Sequence, residues 1–115
     1  MPRAVLVVDD EPSILDALAA ALEDEAYAVR TAADGRAALA LQTDTPADLI
    51  ISDVMMPHLD GHGLVRALRD RGDRTPIILM SALPIPDGGV RAVHRLNKPF
   101  DLDEVLNLVT TLLGG

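Results

Sequence analysis

Short unbroken apolar runs alternate along this chain with stretches in which apolar residues recur every three or four positions. Arg3 to Val8 is a β-branched run that predicts a strand buried on both faces, the pattern of a parallel sheet. Pro12, tolerated in a first turn, opens a helix whose apolar face is marked by Ile14, Leu15, Leu18, Ala21 and Leu22. Ala28 to Ala32 predicts a second strand, and Gly35 to Gln42 an Ala-rich helix with Asp34 as its N-cap. Pro46 breaks the chain before a third strand, Leu49 to Ser52. Val54 to Gly61 reads as a loop, punctuated by Pro57, Asp60 and Gly61. Gly63 to Asp70 predicts a helix that turns Leu64, Val65 and Leu68 inward. Pro76 to Met80 predicts a fourth strand and Arg91 to Leu96 a fifth. The last helix, Asp101 to Leu113, opens on Asp101 and Glu104 at capping-box spacing. Its apolar face is Leu102, Val105, Leu106, Val109, Leu112 and Leu113.

Strands that alternate with helices imply right-handed crossovers and a parallel α/β sheet. Such sheets bind ligands at the carboxyl ends of their strands, near the topological switch point. The length, 115 residues, fits one domain over 1–115. With 49% hydrophobic and 24% charged residues the chain can build a core, and one Tyr, one Phe and no Trp leave that core to aliphatic side chains. The absence of cysteine excludes disulfides and thiolate zinc sites and fits a reducing cytoplasm. The apolar run before Asp9 is too short for a signal-peptide core or a membrane span, so no membrane partner is expected. A net charge of −8 argues against direct nucleic-acid binding. The cluster Arg66, Arg69, Arg71 and Arg74 reads as a solvated helix end.

The polar residues that close the strands carry the chemistry. They are Asp9-Asp10 after the first strand, Asp53 after the third, Ser81-Ala82 after the fourth and Lys98-Pro99 after the fifth. Each alone is an ordinary turn or loop signal, but in a parallel sheet all four converge on one edge. Three aspartates there repel one another, and a divalent cation relieves the repulsion. Hard oxygen ligands without His or Cys suit Mg²⁺. Carboxylates, a lysine and a hydroxyl around such an ion match the needs of phosphoryl transfer, with a carboxylate as the nucleophile.

These residues, with Asp53-Val54-Met55-Met56-Pro57 followed by Asp60-Gly61, and Lys98-Pro99-Phe100, make the chain resemble the receiver domains of two-component response regulators over its whole length. The resemblance implies a five-stranded flavodoxin-like sheet of order 2-1-3-4-5. It makes Asp53 the phosphoacceptor. Asp10, Asp53 and the Met55 backbone carbonyl would hold Mg²⁺, with Asp9 ligating directly or through water. Lys98 would pair with the phosphoryl oxygens, Ser81 would hydrogen-bond them, and the Ala82 N–H would contact them. A cis Lys98-Pro99 bond is implied, and Tyr27 is implied to belong to the core. The partners implied are a histidine kinase or histidine phosphotransfer protein as donor and a downstream protein target. The chain would be a signalling switch and not an enzyme. The competing readings are a receiver-like interaction module that works without phosphorylation, and a Mg²⁺-dependent phosphotransferase or phosphatase.

Two stretches depart from the family pattern. Leu83-Pro84-Ile85-Pro86-Asp87-Gly88-Gly89 is hostile to helix, so the family's helix four, between strands four and five, is expected to be absent or reduced to about one turn. Arg95 stands where receivers usually carry a Tyr or Phe three residues before the lysine, which alters the usual output surface. His58, His62 and His94 read as exposed histidines without a role.

Overall fold

A computed structural model describes residues 2–56, 58–82 and 93–114. It contains β1 (Ala4–Val8), α1 (Pro12–Asp24), β2 (Ala28–Ala32), α2 (Gly35–Asp44), β3 (Leu49–Asp53), α3 (Gly61–Asp70), β4 (Ile77–Ser81), β5 (His94–Asn97) and α4 (Leu102–Leu113). The strands are all parallel, in the order β2-β1-β3-β4-β5. The chain therefore reverses its direction of progress at β1, and the clefts beside β1 and β3 open at the carboxyl edge.

The burial follows the apolar runs. Every residue of β3 is buried, as are the last four of β1 and the first four of β4, while β2 and β5 on the edges are mostly exposed. Alternation along the strands divides the core into two layers. Leu6, Val8, Ile50, Ile77 and Leu79 pack with Ala38 of α2 and Leu64, Val65 and Leu68 of α3. Val5, Val7, Leu49, Ile51, Ile78 and Met80 pack on the opposite face with Leu18 and Leu22 of α1 and Val105, Val109 and Leu113 of α4. Tyr27 packs half-buried against this second layer.

Several boundaries move for physical reasons. α3 begins at Gly61, two residues before the expected start, because the Asp60 carboxylate accepts from the Gly63 N–H (2.7 Å) and caps the end. α2 runs on to Asp44, past Gln42. Asp34 caps α2 as expected, accepting from Ala37 N–H at 2.8 Å. Asp101 stands at the N-cap of α4, and Glu104 accepts from its N–H at 3.4 Å. Leu102 is 40% exposed and so lies outside the core that its spacing suggested. The expected loss or reduction of a helix between strands four and five falls on residues 83–92, which lie outside the described residues, as does the start of the expected fifth strand at Arg91.

The loop after β3 is held by close backbone approach. The Gly61 N–H donates to the Val54 carbonyl (2.9 Å), and an ideal Cβ at Gly61 would sit 2.6 Å from the Asp53 carbonyl oxygen. A Cβ at Gly35, the first residue of α2, would run into the Leu59 carbonyl. Gly35→Ala must therefore push α2 away from the loop, and its expected cost is about 2–3 kcal/mol of unfolding free energy. A urea titration of the variant against wild type measures it.

Candidate functional site

Parallel pairing places the strand ends together. Asp53 closes β3 and is in register with Met80, and Ser81 closes β4 in register with Asn97 of β5. Asp9 follows β1 directly, and its N–H donates to the Ala32 carbonyl at 3.1 Å. The Lys98 N–H donates to the Ser81 carbonyl (2.8 Å), which locks the residue after β5 to the end of β4. The Lys98-Pro99 bond is cis, as the resemblance implied.

Lys98 is the only lysine in the chain. Its ammonium donates to Asp9 Oδ2 at 3.1 Å and lies 3.4 Å from Asp53 Oδ1. Asp9 is wholly buried, and its other oxygen accepts from the Glu11 N–H at 2.9 Å. Asp10 is exposed at the mouth. Asp9, Asp10 and Asp53 each offer a carboxylate oxygen, all within 4.8 Å of one another. Three converging carboxylates against one ammonium form an acidic pocket whose donor set fits a hard divalent cation.

The electrostatics follow from this crowding. Burial pushes the Asp53 carboxyl up, Asp9 adds to the rise, and the partial relief from Lys98 and the Val54 N–H does not cancel it. Burial alone would lower Lys98, but its hydrogen bond to Asp9 and its attraction to Asp53 outweigh that and hold it above the usual lysine range. Lys98 is therefore an ammonium at neutral pH, shared between two carboxylates.

The remaining predicted residues take distinct places. Ser81 is half-buried at the end of β4 and Ala82 is exposed beside it. Met55 follows Asp53 by two residues with its side chain 66% exposed. His58 and His94 are exposed, as expected. His62 is not. It is buried at the start of α3, and its Nε2 has no hydrogen-bond partner among the described residues. Its neighbours Gly61 and Gly63 hid the helical spacing that turns it inward. The sequence reading also missed a groove of about 540 Å³ beside Lys98, between α1 and the start of α4, lined by Ile14, Ala17, Leu18, Phe100 and the exposed Leu102. Nothing in the sequence marked it, because Leu102 keeps the spacing of the apolar face of the last helix.

Comparison with known proteins agrees with this geometry. The response regulator receiver domain profile matches residues 5–110. The response regulator MprA of Mycolicibacterium vanbaalenii is 38% identical over 118 residues, covering 98% of this chain and 51% of the relative. The chain thus spans about half the length of such curated relatives. Among solved structures, the chemotaxis protein CheY4 of Vibrio cholerae superposes with a TM-score of 0.89 at 37% identity, over 97% of this chain and 99% of that one. A signal receiver domain of a histidine kinase from Syntrophus aciditrophicus gives a TM-score of 0.90 at 32% identity, over 98% of this chain and 91% of that one. The chain belongs to the response regulator receiver domain family. Members of that family are signalling switches of two-component systems, which interact with histidine kinases and downstream effectors. Among the described residues, no helix is long and apolar enough to cross a membrane.

Proposed function

We propose that this receiver domain accepts a phosphoryl group on Asp53 from a histidine kinase or histidine phosphotransfer protein, and that the modified surface changes its binding to a downstream protein target. The observation that carries the reading is the shared ammonium. Lys98 lies within 3.4 Å of both Asp9 and Asp53, at the carboxyl edge of a parallel sheet. An Asp53 carboxylate oxygen attacks the phosphorus of a phosphohistidine. The P–N bond breaks with its electron pair passing to the ring nitrogen, which takes a proton from solvent. Lys98 neutralises charge on the phosphoryl oxygens, the Ser81 hydroxyl donates to one of them, and the Ala82 N–H donates to another. Asp10, Asp53 and the Met55 carbonyl would hold Mg²⁺, with Asp9 as a direct or water-linked ligand. When bound, the ion offsets the negative charge of the pocket and of the transferring group.

The groove beside Lys98 supports a protein donor, because its apolar walls offer a place for a helix of the donor next to the phosphoacceptor. The chain acts as one receiver unit in the cytoplasm, as a switch without turnover of a substrate of its own. Intact mass after incubation with acetyl phosphate tests the core of the reading. One phosphoryl group is expected with Mg²⁺ and none with EDTA. No adduct in Mg²⁺ at short times, and none from a phosphorylated kinase, would transfer the reading to an interaction module that works without phosphorylation.

A further inference from the structure

Each group that would hold the cation needs a fixed place. Asp9 is fixed by the Glu11 N–H and by Lys98, and Asp53 by the same ammonium. The Met55 carbonyl is different. It belongs to a loop residue whose side chain is 66% exposed, so no burial of that side chain anchors it. Its position is set by the main chain on either side. Val54, just before it, is bonded through both backbone groups. Its N–H donates to the Met80 carbonyl and its carbonyl accepts from the Gly61 N–H, each at 2.9 Å.

Ser52 secures the rest of this stretch. It is wholly buried, and alternation puts it in line with Ile50, in the aliphatic layer under α2 and α3. Asp53 is in line with Ile51 and faces the other layer. The Ser52 hydroxyl therefore acts on the pocket only through the backbone. A buried hydroxyl costs free energy unless it is bonded, so an aliphatic side chain would serve this layer better. The hydroxyl donates to the Asp53 carbonyl at 2.9 Å and lies 4.0 Å from the Met56 Sδ. The β1–β3 ladder ends one residue earlier, at the Val8–Ser52 pair, so the Asp53 carbonyl relies on a donor from outside the ladder. Met56 is half-buried against the same layer as Ser52. One hydroxyl thus touches the residues on both sides of the Val54-Met55 pair.

We propose that Ser52 is a positioning residue for the divalent cation. It ties down the Asp53 carbonyl and backs the Met56 thioether, and so fixes the main chain that carries the Met55 carbonyl. This rests on the reading that Asp10, Asp53 and the Met55 carbonyl hold Mg²⁺.

Titration of the full chain with MgCl₂, followed by amide NMR shifts, tests it. Wild type is expected to bind, and Ser52→Ala to bind about threefold to tenfold more weakly, the scale of one neutral hydrogen bond. Ser52→Thr keeps the hydroxyl and should recover most of the affinity, while its extra methyl in a filled layer lowers the urea midpoint. Affinity that follows the hydroxyl and not the midpoint is the signature of positioning. The comparison of Ser52→Ala with wild type decides by itself if Ser52→Thr does not fold. If Ser52→Ala binds Mg²⁺ as tightly as wild type, the inference is overturned while the cation reading stands. If both variants bind weakly, in step with their urea midpoints, a structural role replaces it. If wild type shows no Mg²⁺-dependent shifts at Asp10, Asp53 and Met55, the cation reading falls first and the inference with it.

Discussion

Asp53→Asn is expected to abolish phosphorylation completely and at the same time to make the protein more stable. The amide is no nucleophile, so acetyl phosphate with Mg²⁺ should leave the variant's mass unchanged under conditions that modify wild type. The stability gain follows from the sign of the Asp53 shift. Burial first, and Asp9 second, raise its carboxyl above the ordinary aspartate value in the folded state. Below the unfolded value both states are protonated and the site costs nothing. As pH rises from the unfolded value to the folded one the unfolded state ionises while the folded state stays protonated, and above the folded value the full penalty applies. At neutral pH the ionised Asp53 therefore opposes folding, and the neutral amide removes that opposition, a gain of roughly 1 kcal/mol on the scale of single substitutions. Urea titrations without metal should show the higher midpoint, and Mg²⁺ should stabilise wild type more than the variant. A variant less stable than wild type at neutral pH would contradict the crowded-pocket account, whatever its mass spectrum shows.

Lys98→Met is expected to slow phosphorylation sharply, but with the opposite effect on stability. The ammonium touches both Asp9 and Asp53. Without it the wholly buried Asp9 keeps the Glu11 N–H as its partner but loses its counter-charge. Removing one member of a buried pair costs about 3 kcal/mol. Because the folded-state value of Lys98 is raised, the pair's contribution is present in full at neutral pH and disappears only as pH climbs through that raised value. The stability difference between wild type and Lys98→Met should therefore close in strong alkali. In the phosphorylation assay the rate should fall about 100-fold, the usual consequence of deleting one charge-stabilising donor. Mg²⁺ should rescue the stability of Lys98→Met more than it raises that of wild type, since the metal then becomes the only counter-charge. Equal urea midpoints in wild type and variant would remove the pairing from the account of this fold.

Much of the fold was legible because its central strands are buried on both faces. The runs Val5 to Val8, Leu49 to Ile51 and Ile77 to Met80 have no polar interruption, and a parallel sheet flanked by helices is the ordinary way to bury such runs. The site was legible for a related reason. Central strands in such a sheet turn polar mainly where they leave the core, so Asp9, Asp53 and Ser81 stand out near the ends of apolar runs, whereas Lys98, which follows the polar Asn97, was marked by the Lys98-Pro99-Phe100 motif. What could not be read depends on neighbours distant in sequence. Gly61-His62-Gly63 has the composition of a loop, yet Asp60 caps it into a helix and so carries His62 inside. Leu102 keeps the helical spacing of α4 but lies in the first turn, past the edge of the sheet, where it borders a groove. The limits of β5 were blurred because an edge strand needs few apolar residues, and its exposed His94, Arg95 and Asn97 leave only Leu96 as a marker.

The bond between Lys98 and Asp9 joins residues 89 apart, the first strand to the turn that follows the last. Contacts of such long range are the slow ones to establish, because loop closure is paid for before they return anything. Chemical competence at this site is thus a property of the finished molecule. A nascent chain that has emerged only through β4 already has all three aspartates, but its anionic cluster has no lysine to discharge it. The amine arrives with the final strand, so a partly synthesised or C-terminally clipped copy would be a far slower acceptor from any phosphodonor even with its phosphoacceptor in place.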